Sequence, residues 1–185
     1  MNKLAIALSA ALSLGAAASV HAADATITFT GKVVASTCSV DIGGGGNTAT
    51  VALRQINPGA FKSDNTVGST PFTITLTAGT SPATCSADNA RLVIDPAASD
   101  LSAAGMITDT AGGVGTRTSA HVKLVNAATD ADINLTDLGD PALVSVKSSG
   151  NFTYNWIARY HNPSATDDLT AGDFSGKLVF DVDNY

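Results

Sequence analysis

Apolar and polar residues alternate with a period of two in one segment of the chain after another. Ala25, Ile27, Phe29, Gly31, Val33 and Ala35 fall on one side of the first such segment, with Thr26, Thr28, Thr30 and Lys32 on the other. The same alternation runs through Thr48–Leu53, Thr73–Thr77, His121–Val125, Leu143–Val146, Phe152–Tyr160 and Phe174–Val182. Successive side chains of a strand point to opposite faces, so each segment predicts a half-buried strand. Gly, Pro, Asn or Asp bounds each of them and supplies the turns. Short strands punctuated in this way predict an antiparallel sandwich or barrel. Tyr154, Trp156 and Tyr160 share one face of their strand, which points to core packing before a sugar-binding surface. Helical signal is confined to Asp95–Asp100, where Asp95 can cap a single turn opened by Pro96. The Gly-rich stretches at 43–46 and 112–115 read as loops or hairpin tips. No long linker or internal repeat divides the chain, so one folded domain is expected.

Composition sharpens this picture. The 185 residues include 22 Thr but no Glu, all 16 acidic residues being Asp, a poor mixture for a helical bundle. With a net charge of −6 and ten Lys and Arg, the chain has no basic stripe to face phosphates, and no nucleic-acid partner is expected. Its hydrophobic fraction of 44% is too high for disorder.

The first 22 residues read as an address. Met1-Asn2-Lys3 is a short basic start, Leu4 to Val20 is apolar or small, and Val20-His21-Ala22 offers small residues at the cleavage positions of a secretory signal peptide. The mature chain is expected to begin near Ala23, and to be exported. No later stretch is apolar for long enough to span a bilayer as a helix. Cys38 and Cys85 then form an even pair in an exported chain, which reads as one disulfide. Their separation of 47 positions does not suit a Cys-x-x-Cys redox motif.

Catalytic chemistry is hard to find. Gly43–Gly46 lacks the Lys-Ser/Thr ending of a phosphate loop, and Gly113-Val114-Gly115 lacks the strand–helix context of a dinucleotide site. There is no Gly-x-Ser-x-Gly elbow. His121 and His161 lie far apart without metal-ligand spacing, and the pairs Asp130/Asp132 and Asp181/Asp183 read as solvated strand faces before a cation site. Without a convergent acid, base and nucleophile, no enzyme activity, cofactor or metal is expected.

The run Ile27–Ala35 followed by Cys38-Ser39-Val40-Asp41 resembles the mature N-terminus of type 1-like fimbrial subunits assembled by the chaperone–usher route. Further similarity lies in Thr50–Leu53, in the Phe72–Leu76 strand before Cys85, and in Ala158-Arg159-Tyr160. Gly172, fourteenth from the C-terminus, and the alternation of Phe174, Leu178, Phe180 and Val182 complete it. That family usually carries a penultimate aromatic residue; here Tyr185 is last and Asn184 takes the stepped position. The resemblance implies an all-β fold: an incomplete immunoglobulin-like β-sandwich that lacks its last strand and carries an N-terminal donor-strand extension. It divides the chain into a signal peptide (1–22), a donor arm (23–37) and the incomplete domain (38–185). Ile27, Phe29, Gly31, Val33 and Ala35 would enter a neighbouring subunit, and Gly172, Leu178, Phe180, Val182 and Tyr185 would form the edge met by chaperone and usher. The implied function is a structural subunit of a surface fimbria, exported through the periplasm and polymerised head to tail, as a major shaft pilin contributing to cell adhesion. The implied partners are related subunits, a periplasmic chaperone and an outer-membrane usher. The alternatives are a minor adaptor subunit, or a secreted monomeric carbohydrate-binding sandwich that uses Trp156.

Overall fold

A computed structural model describes residues 38–78, 85, 87–111 and 117–185. The proposed signal segment and arm, 1–37, lie outside the described residues. The described strands are β1 (Cys38–Ile42), β2 (Thr70–Ala78), β3 (Asn89–Ile94), β4 (His121–Asn126), β5 (Asp132–Ile133), β6 (Val144–Val146), β7 (Phe152–His161) and β8 (Phe180–Asn184). They form a five-stranded sheet in the order β1-β2-β7-β4-β5 and a three-stranded sheet in the order β6-β3-β8. Every pairing is antiparallel. A short helix α1 (Pro58–Ser63) and a 3-10 turn at Pro141–Leu143 complete the described elements.

The alternation read from the sequence is what builds the core. Ile74 and Leu76 of β2, Ala90, Leu92 and Ile94 of β3, Val122 and Leu124 of β4, and Phe152, Tyr154, Trp156 and Ala158 of β7 all point inward and are buried. Trp156 is 1% exposed, with the Phe72 and Tyr154 rings edge-on at 6.1 and 5.9 Å. The Tyr154 hydroxyl donates to the Ala90 carbonyl at 2.8 Å and so joins one sheet to the other. That bond offsets the desolvation of the phenol, whose pKa burial raises.

Cys38, at the start of β1, is bonded to Cys85, which precedes β3, with their Cα atoms 4.8 Å apart. The bridge links the ends of two segments that belong to different sheets. On the chain-entropy model, closing a loop of this length stabilises by about 4 kcal/mol. Replacing both cysteines with Ser is therefore expected to lower the urea midpoint, followed through Trp156 fluorescence. An unchanged midpoint would show that the bridge adds nothing.

Several expectations are revised. The alternation predicts a strand at Thr48–Leu53, but residues 49–57 carry no sheet pairing. Their alternation serves a different surface, described below. Residues Asp95–Asp100 form a turn rather than a helix: the Asp95 carboxylate accepts from Ala97 N and Ala98 N at 2.9 and 3.1 Å, and no helical turn follows. The helix lies instead at Pro58–Ser63, where Asn57 accepts from Gly59 N and Pro58 occupies the first turn. The segment expected as Leu143–Val146 opens as the 3-10 turn, with Leu143 buried, before β6. No segment is predicted over Asn89–Ile94, where β3 lies, because Leu92-Val93-Ile94 is a continuous apolar run that blurs its alternation. The last strand is shifted: the pattern predicts Phe174–Val182, whereas β8 covers Phe180–Asn184. Upstream of it, side chains replace ladder partners, Val179 N donating to Ser99 Oγ and Lys177 N to Asp100 Oδ2, each at 2.8 Å.

Candidate functional site

Among the described residues, β8 pairs with a strand on one side only: β3, in the register Phe180↔Ile94, Asp181↔Val93 and Val182↔Leu92. Beyond its other side lies a groove of about 880 Å³. Phe72 and Ile74 of β2, Val122 and Leu124 of β4, and Ala158 and Tyr160 of β7 contribute to its lining. Ala49–Leu53 line it from one direction and 169–176, Leu178 and Phe180 from another. The unpaired stretch that alternates without being a strand is therefore part of the groove. No polar or charged residue is buried among the described residues, and the one acid in the lining, Asp173, is exposed. Such a surface offers contacts to alternate apolar side chains and an edge for main-chain hydrogen bonds, which are what an extended peptide needs.

Local sequence explains how the 169–178 segment lies so close to its neighbours. A Cβ on Gly172 would fall 2.6 Å from Thr118 N and against the Arg117 carbonyl. One on Gly176 would fall 2.7 Å from Thr108 O and against Ile107. Both obstacles include main chain, which cannot rotate away. Phe174, between them, meets the Tyr160 ring edge-on at 6.1 Å. Gly172→Val is expected to push this wall out of place and destabilise the domain by about 1–3 kcal/mol. Unfolding of the variant by urea measures this, and a wild-type midpoint would contradict it.

The sequence-derived residues divide as follows. Gly172, Leu178 and Phe180 line the groove. Val182 is half-buried against the core from β8. Tyr185 is outside the groove lining: its main chain pairs with Asn89, and its ring, 53% exposed, lies 5.5 Å from the Arg91 guanidinium. Ile27, Phe29, Gly31, Val33 and Ala35 lie outside the described residues. Ile42, Ile107, Leu169 and Phe174 are lining residues that periodicity alone did not single out as a surface. They come from separate elements, and only the sandwich brings them together.

The acids at 130 and 132 and the tryptophan have other roles. Asp130 pairs with Arg159 at 2.7 Å, and that guanidinium holds its carboxyl below the usual range. Asp132 pairs with Lys123 at 2.8 Å. Each acid thus faces its own cation, and Asp130 is in a turn with φ of 57° rather than on a strand. Buried as it is, Trp156 has no face to offer a sugar ring.

Comparison with known proteins agrees with this geometry. Residues 27–184 match the family model described as fimbrial protein. The F17 fimbrial protein of Escherichia coli is 31% identical over 162 residues, covering 86% of each chain. The major fimbrial subunit SMF-1 of Stenotrophomonas maltophilia is 27% identical over 179 residues, covering 88% of this chain and 93% of the relative. The fold is similar to that of the P pilus rod subunit PapA, with a TM-score of 0.51 and 14% identity over 80% of this chain and 99% of that one. A chaperone–usher pilus structure gives a TM-score of 0.51 and 18% identity, covering 87% and 95% of the two chains. A two-sheet immunoglobulin-like sandwich and a family match over nearly the whole chain lead to one assignment: this chain belongs to the fimbrial protein family, whose members are structural pilus subunits and not enzymes.

Proposed function

We propose that this chain is the repeating shaft subunit of a surface fimbria, and that it polymerises by exchanging strands between neighbours. The observation that carries this reading is the groove beside β8, lined mostly by apolar residues, on a sheet edge left open among the described residues. An exposed groove of this kind is an aggregation hazard unless a partner covers it. In the reading advanced here, a periplasmic chaperone lends a strand along Phe180 and Val182 after export. At the outer-membrane usher, residues 23–37 of the next subunit then replace it. Ile27, Phe29 and Val33 would each contribute about 1.5–3 kcal/mol on full burial. Gly31 allows close backbone approach where no side chain fits. An arm-to-groove contact is head to tail and does not close on itself, so it propagates as a filament. The names of the relatives, a major fimbrial subunit and a pilus rod subunit, favour the shaft role over an adaptor.

A synthetic peptide with the sequence of residues 24–35 tests the reading. Added to the chaperone-bound subunit, it is expected to displace the chaperone slowly and leave a one-to-one peptide complex, resolved by size-exclusion chromatography. A peptide of the same composition with the alternation scrambled should not. Equal behaviour of the two peptides, or no displacement by either, would remove donor-strand exchange through this segment.

A further inference from the structure

We propose that His121 and His161 together form a surface site for one divalent transition-metal ion, with Cu²⁺ the preferred occupant over Ni²⁺ and Zn²⁺. The chain places these residues far apart, but the fold makes them direct register partners at one end of the β4–β7 ladder. Side chains directly opposed across an antiparallel pair have Cβ atoms about 4.5–5.5 Å apart and leave the sheet on the same face. That face is the outer one, because the residues that alternate with them, Val122, Leu124 and Ala158, are buried in the core. Both histidines are half-buried, and among the described residues neither imidazole is engaged in a hydrogen bond. Among the described residues, their ring nitrogens therefore have no side-chain or backbone partner to lose on binding a metal.

The basic residues nearest the pair are themselves paired with acids. Lys123 and Arg159, themselves register partners, occupy the same face two residues along each strand. Each already faces a carboxylate, Lys123 with Asp132 at 2.8 Å and Arg159 with Asp130 at 2.7 Å. The carboxylates offset part of their repulsion on an incoming ion, Lys123 still acting on His161 more strongly than Asp132 does. Among the described residues no group of three or more His, Cys or Asp side chains converges. The site is thus a two-imidazole chelate that leaves coordination positions to water, an exchangeable surface site rather than a closed structural one. Imidazole suits copper, nickel and zinc, and affinity at a given nitrogen site is highest for Cu²⁺. The ion would clip β4 to β7 across the end of their ladder.

The test is a titration of the chaperone-bound subunit with CuCl₂, read by calorimetry and by electron paramagnetic resonance. One ion per subunit is expected at this site, with two imidazole nitrogens in its coordination shell. Losing even an outer-shell partner costs roughly 10–100-fold in metal affinity, and losing a direct ligand should cost no less. His121→Gln and His161→Gln should therefore each weaken binding by at least about tenfold, and the double variant should abolish it. If the substitutions disturb folding, the spectrum of the unsubstituted protein decides alone. Binding that survives the double variant, a spectrum with fewer than two imidazole nitrogens, or no binding at millimolar copper would overturn the proposal.

Discussion

Phe180→Asp is expected, on the proposed function, to abolish accumulation of the protein in the periplasm, and with it any fimbriae at the surface. Phe180 is the first residue of β8, pairs in register with Ile94, and lines the groove. It also packs against the buried core cluster. The substitution removes the transfer free energy of a phenyl side chain, about 1.5–3 kcal/mol when fully buried. It also leaves a carboxylate in a groove whose lining includes Leu178 and Ile74 and, among the described residues, no cation, the more costly of the two effects. Stabilities of single domains are only about 5–15 kcal/mol, so a subunit that, on the proposed function, also awaits a partner strand has little margin. Phe180→Leu keeps the apolar surface and should retain most of the yield. Immunoblots of periplasmic extracts distinguish the outcomes. Normal levels of Phe180→Asp in complex with a chaperone would show that β8 is not the landing edge.

Deleting residues 24–35 should stop polymerisation while leaving the subunit able to fold with its chaperone. The deleted segment alternates Ala25, Ile27, Phe29, Gly31, Val33 and Ala35 against threonines and a lysine. On the proposed function it serves the next subunit rather than its own. Gly31→Trp should act like the deletion, because a bulky side chain at the middle of the arm would hold it off the groove. Electron microscopy of cells carrying either variant is expected to find no fibres, against normal chaperone complexes by co-purification. Fibres from the deleted chain would make the segment an ordinary strand of its own sandwich.

Period-two alternation revealed most of the strands that face a core from one side only. β2, β4 and β7 were legible because Thr, Lys or Asn separates their buried residues. β3 was obscured by Val93, which is apolar yet belongs to the outer face with Arg91. The shifted end of the chain has a different cause. Upstream of Phe180 the apolar residues are spaced for groove contact, and Ser99 and Asp100 take the hydrogen bonds a strand would have made. The groove itself could not be read by periodicity, since Ile42, Leu53, Ile107 and Phe174 meet only through tertiary packing. Its presence was implied by the family resemblance, and its lining came from the structure. The histidine pair was invisible for the same reason: register is a property of two strands, not of either alone.

The Cys38–Cys85 bridge has a mechanical consequence for a fibre held together as proposed. Each link would bear load through the arm, which enters the domain at Cys38. A bond from that residue to Cys85 passes the pull directly to the chain ahead of β3. The residues between, with β1, α1 and β2 among them, are bypassed by a covalent path. At about 3.4 Å per extended residue, the enclosed 47 positions represent roughly 160 Å of slack that each link cannot pay out. A fimbria with the bridge intact should therefore lengthen under tension by moving whole subunits before it unravels any one of them. Reduction would turn every link into a longer tether.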